Sequence, residues 1–146
     1  MNYLKILFYT IMILKISTAN AQELSSHQWK DRLVLILIDD TNNQTYQNQI
    51  LAFQENMEGL NERKLIVYHI KPTQYKLGLT TSNWQESKKL FNQFKKTDAS
   101  FEILLIGLDG STKLRRTEFI SCEELFRTID VMPMRRKEIN KKENED

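Results

Sequence analysis

The chain holds one cysteine, Cys122, in the run Ser121-Cys122-Glu123-Glu124. Serine followed three residues on by glutamate is a capping box. It places the thiol at the first position of a helix, where backbone N–H groups and the helix dipole favour thiolate. Glu123 and Glu124 act against that, and no histidine is close in sequence. A resolving partner would have to come from another molecule. Cys122 is a redox candidate on these terms, beside the plainer reading of a helix-start residue with an incidental thiol. His27 and His69 are the only histidines. A zinc site needs three or four spaced ligands, so no metal is expected and each histidine reads as structural or surface. Asp109-Gly110 lacks the further acids of a calcium loop and reads as a turn. Ser, His and Asp are present without a nucleophile-elbow motif. The most suggestive polar set is Arg63, Arg115, Arg135 and Arg136. Guanidinium groups pair bidentately with carboxylates. The set reads either as an internal clamp on the C-terminal segment, with Asp130 or Glu138 as the acids, or as a surface for an anionic ligand or partner protein.

The elements that position these residues begin after a leader. Ile6 to Ile16 is apolar apart from Lys15, and Ala19-Asn20-Ala21 is a small-x-small pattern. Residues 1–21 therefore read as a secretory signal peptide cut between Ala21 and Gln22. A retained N-terminal membrane anchor is the alternative, although the run falls well short of the roughly 20 residues that span a bilayer. Of the 146 residues, 21 are Lys or Arg and 19 are Asp or Glu; the leader removes Lys5 and Lys15 and no acid, which leaves a neutral remainder. Such a balance does not support nucleic-acid binding. The remainder has the composition of one globular domain, residues 22–139, with a charged, disordered tail expected over 140–146.

Leu33 to Ile38 is a continuous apolar run, as in a strand buried on both faces. Tyr46, Ile50, Phe53, Met57 and Leu60 make one helical stripe, which Gly59 and Asn61 should end. A second strand is expected over 64–70, closed by Pro72, and a polar connection over 71–83. A helix capped within Thr81-Ser82-Asn83 should carry Trp84, Leu90, Phe91 and Phe94. A third strand (102–107), the Asp109-Gly110 turn and an edge strand (113–119) should follow. The capping box then starts a helix bearing Leu125, Phe126, Ile129 and Met132, which Pro133 ends or kinks. The order is β-α-β-α-β-β-α, with the first two crossovers joining parallel strands. This is the thioredoxin-like core: an α/β three-layer sandwich with a mixed four-stranded sheet and helices on both faces.

Four segments carry a more specific resemblance. They are His27-Gln28-Trp29-Lys30-Asp31-Arg32, Asn61-Glu62-Arg63-Lys64, the stretch Leu105 to Arg115 with Gly107, Asp109, Gly110 and Lys113, and Ile129-Asp130-Val131-Met132-Pro133-Met134-Arg135-Arg136-Lys137-Glu138. Together they resemble a bacterial secreted family known only as a domain of unknown function. That family is similar to the peroxiredoxin-like P-DUDES domain of animal sushi-repeat and coiled-coil-domain matrix proteins. The resemblance implies a thioredoxin-like fold and brings no established catalytic residues. Trp29, Arg32, Arg63, Gly107, Asp109, Gly110, Lys113, Asp130, Met132, Pro133, Met134, Arg135 and Glu138 are the residues that carry it.

In thioredoxins and peroxiredoxins the nucleophilic cysteine follows the first strand. Here that stretch is Asp39-Asp40-Thr41-Asn42-Asn43, without cysteine. Asp40, Thr41, Asn42 and Asn43 could bind a ligand, although the aspartates disfavour an anion; the plainer reading is a turn and helix cap. The expected function is an exported, non-catalytic binding or structural module of the cell envelope, in the periplasm or secreted. It needs no cofactor, binds an envelope or extracellular protein or a small ligand, and meets the membrane only through its leader. A peroxiredoxin-like antioxidant or thiol oxidoreductase using Cys122 is the alternative.

Overall fold

The structure is a computed structural model that describes residues 24–80 and 83–145. The leader, its junction at Ala21 and Gln22, and Thr81 and Ser82 of the expected helix cap lie outside the described residues.

Strand β1 (Arg32–Ile38) is buried along its whole length. Its apolar run needs cover on both faces, and it lies inside a six-stranded sheet of order β4-β3-β2-β1-β5-β6. It pairs parallel with β2 (Leu65–Ile70) and antiparallel with β5 (Phe101–Ile106). The first crossover joins parallel strands as expected. The second does not, and helix length explains why. The helix before β5 has only five residues, a rise of about 7 Å, against about 20 Å for a six-residue strand. It cannot carry the chain back along the sheet, so β5 enters from the end at which β1 finishes.

The four expected strands become six. The presumed polar connection contains β3 (Gln74–Leu77), which folds back on β2 with Tyr75 buried. The presumed helix from Trp84 splits into β4 (Gln85–Glu86), paired with β3, and a short α3 (Leu90–Phe94). Trp84 lies on no helix face. Its ring stacks under the Lys71 ammonium at 4.1 Å, with that of Lys76 at 5.4 Å. The pairing is a contact between neighbouring extended segments, which helical periodicity does not encode.

The stripe expected as one helix is two, α1 (Gln44–Glu55) and α2 (Met57–Glu62), broken at Asn56. The Asn56 amide donates to Ala52 O at 2.9 Å, a side-chain bond that competes with helix continuation. Gly59 is required inside α2 by close approach: a Cβ there would lie 2.5 Å from the Phe126 ring. Ser121 caps α4 (Cys122–Asp130) by accepting from Glu124 N. Pro133 neither ends nor kinks α4, which has already stopped at Asp130; it opens the last helix, α5 (Pro133–Glu143). Proline at a first turn lacks only an N–H that would be unpaired anyway. The expected tail from residue 140 is thus helical to Glu143; its polar sequence has no apolar stripe to reveal it.

The sheet separates two cores. Val34, Ile36 and Ile38 face Phe53, Leu60 and Ile129 on the α1–α2–α4 side. Leu33, Leu35 and Leu37 face Tyr68, Tyr75, Leu90 and Phe94 on the other. Helices on both faces give the three layers expected.

Candidate functional site

Arg32 begins β1 and is 1% exposed, so its charge must be matched from within the fold. Its two Nη groups donate to Glu138 Oε2 and Oε1 at 3.2 and 3.3 Å, and Nη1 also donates to Arg63 O at 3.0 Å. Arg63 grips Asp130 bidentately, Nε to Oδ1 at 2.9 Å and Nη2 to Oδ2 at 2.6 Å, while its guanidinium lies 4.3 Å from the centre of the Phe126 ring. Arg135, also buried, shares Asp130 at 3.3 Å and reaches Glu62 Oε1 at 2.6 Å and Glu138 Oε2 at 3.5 Å. Three guanidiniums and three carboxylates thus tie α5 to the starts of β1 and β2. Burial pushes the Asp130 carboxyl upward, but Arg63 and Arg135 outweigh it and hold it below the ordinary range. Burial likewise works against the charge on Arg135, and Glu62, Asp130 and Glu138 overcome it.

The clamp reading of the arginines therefore holds for Arg63 and Arg135, with both expected acids. It fails for the other two. Arg115 pairs with buried Glu102 and donates to Phe94 O, bracing the edge strand β6 (Thr112–Arg116) against the 94–102 segment. Arg136 is exposed and joins no ion pair among the described residues. Glu62 was missed, because nothing in a helix-end glutamate tells which guanidinium it will meet.

Beside this network runs a groove of about 370 Å³, walled mainly by Trp29, Leu108, Met132, Pro133 and Met134, with Arg32, Gly107, Asp109 and Lys113 completing it. Trp29 is 64% exposed and has φ +66°. A left-handed conformation costs a bulky residue about 1–2 kcal/mol, and here the Trp29 N–H donates to Leu108 O at 2.7 Å. Opposite, a bulge between β5 and β6 pairs Leu105 with Leu114 but Ile106 with Thr112. Lys113 is the extra residue. Its ammonium folds across Gly107, where a Cβ would sit 2.5 Å from Lys113 Cε, and donates to Asp109 Oδ2 at 2.8 Å. Lys113 and Ser111 together bring Asp109 down to about 2. Gly110, with φ +80°, closes the turn. Apart from Gly110, the residues that carry the family resemblance line this groove or belong to the ion-pair network that shares Arg32 with it.

A second cavity, about 270 Å³, lies across the 107–110 turn and includes His27, Gln28, Asp31 and Phe94. Both ring nitrogens of His27 are engaged, with Asp31 Oδ2 at 2.8 Å and Tyr68 Oη at 2.9 Å. His69 is fully buried between the Tyr46 hydroxyl, 2.9 Å from Nδ1, and Gly78 O, 2.7 Å from Nε2. Burial holds it neutral, at about 4. A neutral ring donates from Nε2 and accepts the Tyr46 proton at Nδ1. Both histidines are internal connectors, and among the described residues no cluster of His, Cys, Asp or Glu could hold a metal.

At the other end of β1, Asp40 accepts from Asn42 N at 3.1 Å and Asn42 Nδ2 at 3.3 Å. The Asn42 backbone bond keeps its carboxyl below the ordinary range. Asn43 caps α1 through Tyr46 N at 3.0 Å and donates to Ser100 Oγ at 3.0 Å. Thr41 O accepts from Gln47, so the whole stretch is a turn and helix cap. Cys122 begins α4 as expected, but its thiol is buried and lies 3.4 Å from Ala52 O. Burial, then the charge of Glu55, pushes it upward, away from thiolate.

A family model described as a domain of unknown function (DUF4174) matches residues 23–138. No curated protein matches the chain. Among solved structures the chain is similar to the reduced 2-Cys peroxiredoxin of Plasmodium vivax, at 15% identity and TM-score 0.55 over 78% of this chain and 84% of that one. The similarity establishes a thioredoxin-like, peroxiredoxin-like fold.

Proposed function

The chain belongs to the DUF4174 family, and on that premise we propose that it is an exported, non-catalytic binding module that works through the groove at the start of β1. The observation that carries this reading is where its unusual features collect. The exposed, left-handed Trp29, the partly exposed Met134 and the bulge that turns Lys113 across Gly107 all surround one concave apolar surface. Exposed apolar side chains around a concavity mark binding surfaces in soluble proteins. The position that carries the nucleophile in thiol enzymes of this fold is a turn closed on itself.

The thiol-enzyme alternative would depend on Cys122, and its burial and raised pKa oppose that role. The leader pattern of residues 1–21 supports export, to the periplasm or outside the cell. The resemblance to secreted bacterial proteins and animal matrix domains supports the same destination. Among the described residues no helix is long and apolar enough to cross a membrane.

Three measurements test the proposal. Thiol-dependent hydrogen peroxide consumption is expected to be nil in the protein and in Cys122→Ser; turnover lost on that substitution overturns the non-catalytic reading. Nile red, a neutral apolar dye, is expected to bind saturably, and Met134→Glu to abolish binding without changing the unfolding midpoint. Binding that survives Met134→Glu places the surface elsewhere. Intact mass of the exported protein should begin at Gln22.

A further inference from the structure

The groove holds one feature that an apolar partner alone does not explain. Arg32 has three kinds of donor, and both Nη groups are bound to Glu138. Its Nε–H is buried and has no hydrogen-bond partner in the protein. A charged donor left in this state is costly, because the water it gave up is not replaced by another acceptor. The same side chain forms part of the groove wall. The Nε–H itself is buried, so a ligand in the groove reaches it when wall side chains move, and the Met132 and Met134 chains on that wall are unbranched thioethers that change rotamer readily.

Resting on the groove reading above, we propose that the groove is a binding site for a small monocarboxylate with an apolar body, whose carboxylate accepts the Arg32 Nε–H while its body packs on Trp29, Leu108 and Met134. The unpaired donor selects an acceptor, and because it belongs to a guanidinium it favours an anionic one. A charge-assisted hydrogen bond is about twice as strong as a neutral one. The one acid on the groove wall, Asp109, is already neutralised by Lys113, so nothing unpaired there repels an anion or attracts a cation. Size selects a small molecule. About 370 Å³ lies at the lower end of the range for small-ligand pockets. Predominantly apolar walls with a few placed polar groups, here Arg32 and the Lys113–Asp109 pair, are the usual composition of such pockets.

The probe is decanoate, titrated into the protein carrying Trp84→Phe so that emission comes from Trp29 alone. A saturable blue shift is expected, together with a shift of the Arg32 Nε–H cross-peak in the nitrogen-15 spectrum. Decanol has the same body without the carboxylate and should bind at least about tenfold more weakly. Met134→Glu, at a partly exposed position, should abolish decanoate binding while leaving the fold intact. Arg32→Lys should remove the preference for decanoate over decanol if it folds, and the Nε–H cross-peak decides the question if it does not.

Equal binding of decanol and decanoate overturns the proposal, as does an unmoved Arg32 signal at saturation. An acetylated peptide ending in leucine with a free carboxylate, bound more tightly than decanoate, would reassign the groove to a protein C-terminus. Nile red separates the two levels of inference. If the dye binds the groove and decanoate does not, the binding module stands and the carboxylate falls. If neither binds, both fall.

Discussion

The two ends of β1 lie about 20 Å apart and are built on opposite principles. At the finishing end, Asp40, Thr41, Asn42 and Asn43 satisfy one another within a few residues and cap a helix. At the starting end, Arg32, Arg63 and Arg135 meet acids from 62 to 138, over sequence separations of up to 106 residues. The first end is local, polar and relaxed. The second is long-range and ionic, carries a left-handed tryptophan and a buried donor without a partner, and opens on a groove. Thioredoxin-like enzymes keep their thiol at the first end. Here that end is a polar turn and helix cap, and the costly features lie at the other. Unusual and costly features cluster where a structure has a use for them.

The largest expected effect tests the long-range end. Arg32→Ala removes a buried charge and leaves Glu138 short of its partner, a change that costs about 3–5 kcal/mol when a buried pair is broken from one side. Urea unfolding should show a large drop in midpoint. The double variant Arg32→Met with Glu138→Leu should recover most of the loss, because a buried ion pair replaced by apolar groups is often close to neutral. A double variant as unstable as the single would mean that the guanidinium matters through Arg63 O and not through Glu138.

Acid sensitivity belongs to the finishing half of the sheet. His69 is held neutral in the fold, at about 4, against an ordinary value of 6.5. Between those values the unfolded chain takes up a proton that the folded protein refuses, so stability falls as pH drops from 6.5 to 4. Two and a half pH units correspond to about 3 kcal/mol. Midpoints of unfolding measured from pH 7 to pH 4 should show the decline, and His69→Gln should flatten it. The Arg63–Asp130 pair should add to that slope only below about pH 5, where the Asp130 carboxyl of the unfolded chain, with an ordinary value of 3.8, begins to take up a proton that the folded one refuses.

A smaller effect probes the local end directly. Asn43→Ala removes the cap of α1 and should cost about 1 kcal/mol, with no change in Nile red binding at the far groove. Loss of dye binding in this variant would show that the two ends are coupled.

How much of this was legible in the sequence follows the same division. The Leu33–Ile38 run declared a central strand, the Ser121 capping box declared its helix, and the Asp109-Gly110 turn declared a hairpin, because each is encoded within a few residues. Strand β3, the division of the Trp84 segment and the antiparallel entry of β5 depend on which neighbour is present, and local periodicity is silent on that. Arginines and acids could be named as a set, but Arg63 with Asp130 and Arg115 with Glu102 are partners only because the sheet places them so. The polar α5 escaped notice because a helix held by ion pairs on one turn needs no apolar stripe.

Trp29 allows the finest test of the contrast. At φ +66° a tryptophan is strained, and glycine is not. Trp29→Gly removes about 1–2 kcal/mol of backbone strain. It gives back part of that through the greater freedom of glycine in the unfolded chain. Little packing is lost, because the ring is 64% exposed. The net expectation is a gain of about 0.5 kcal/mol, read as a small rise in urea midpoint, together with loss of Nile red binding. A relaxed residue kept only for structure would behave the other way, with stability falling and binding indifferent. Higher stability with lost binding would show that the strain at this end is maintained for the groove; lower stability would make Trp29 a packing residue and move the binding surface toward Met132 and Met134.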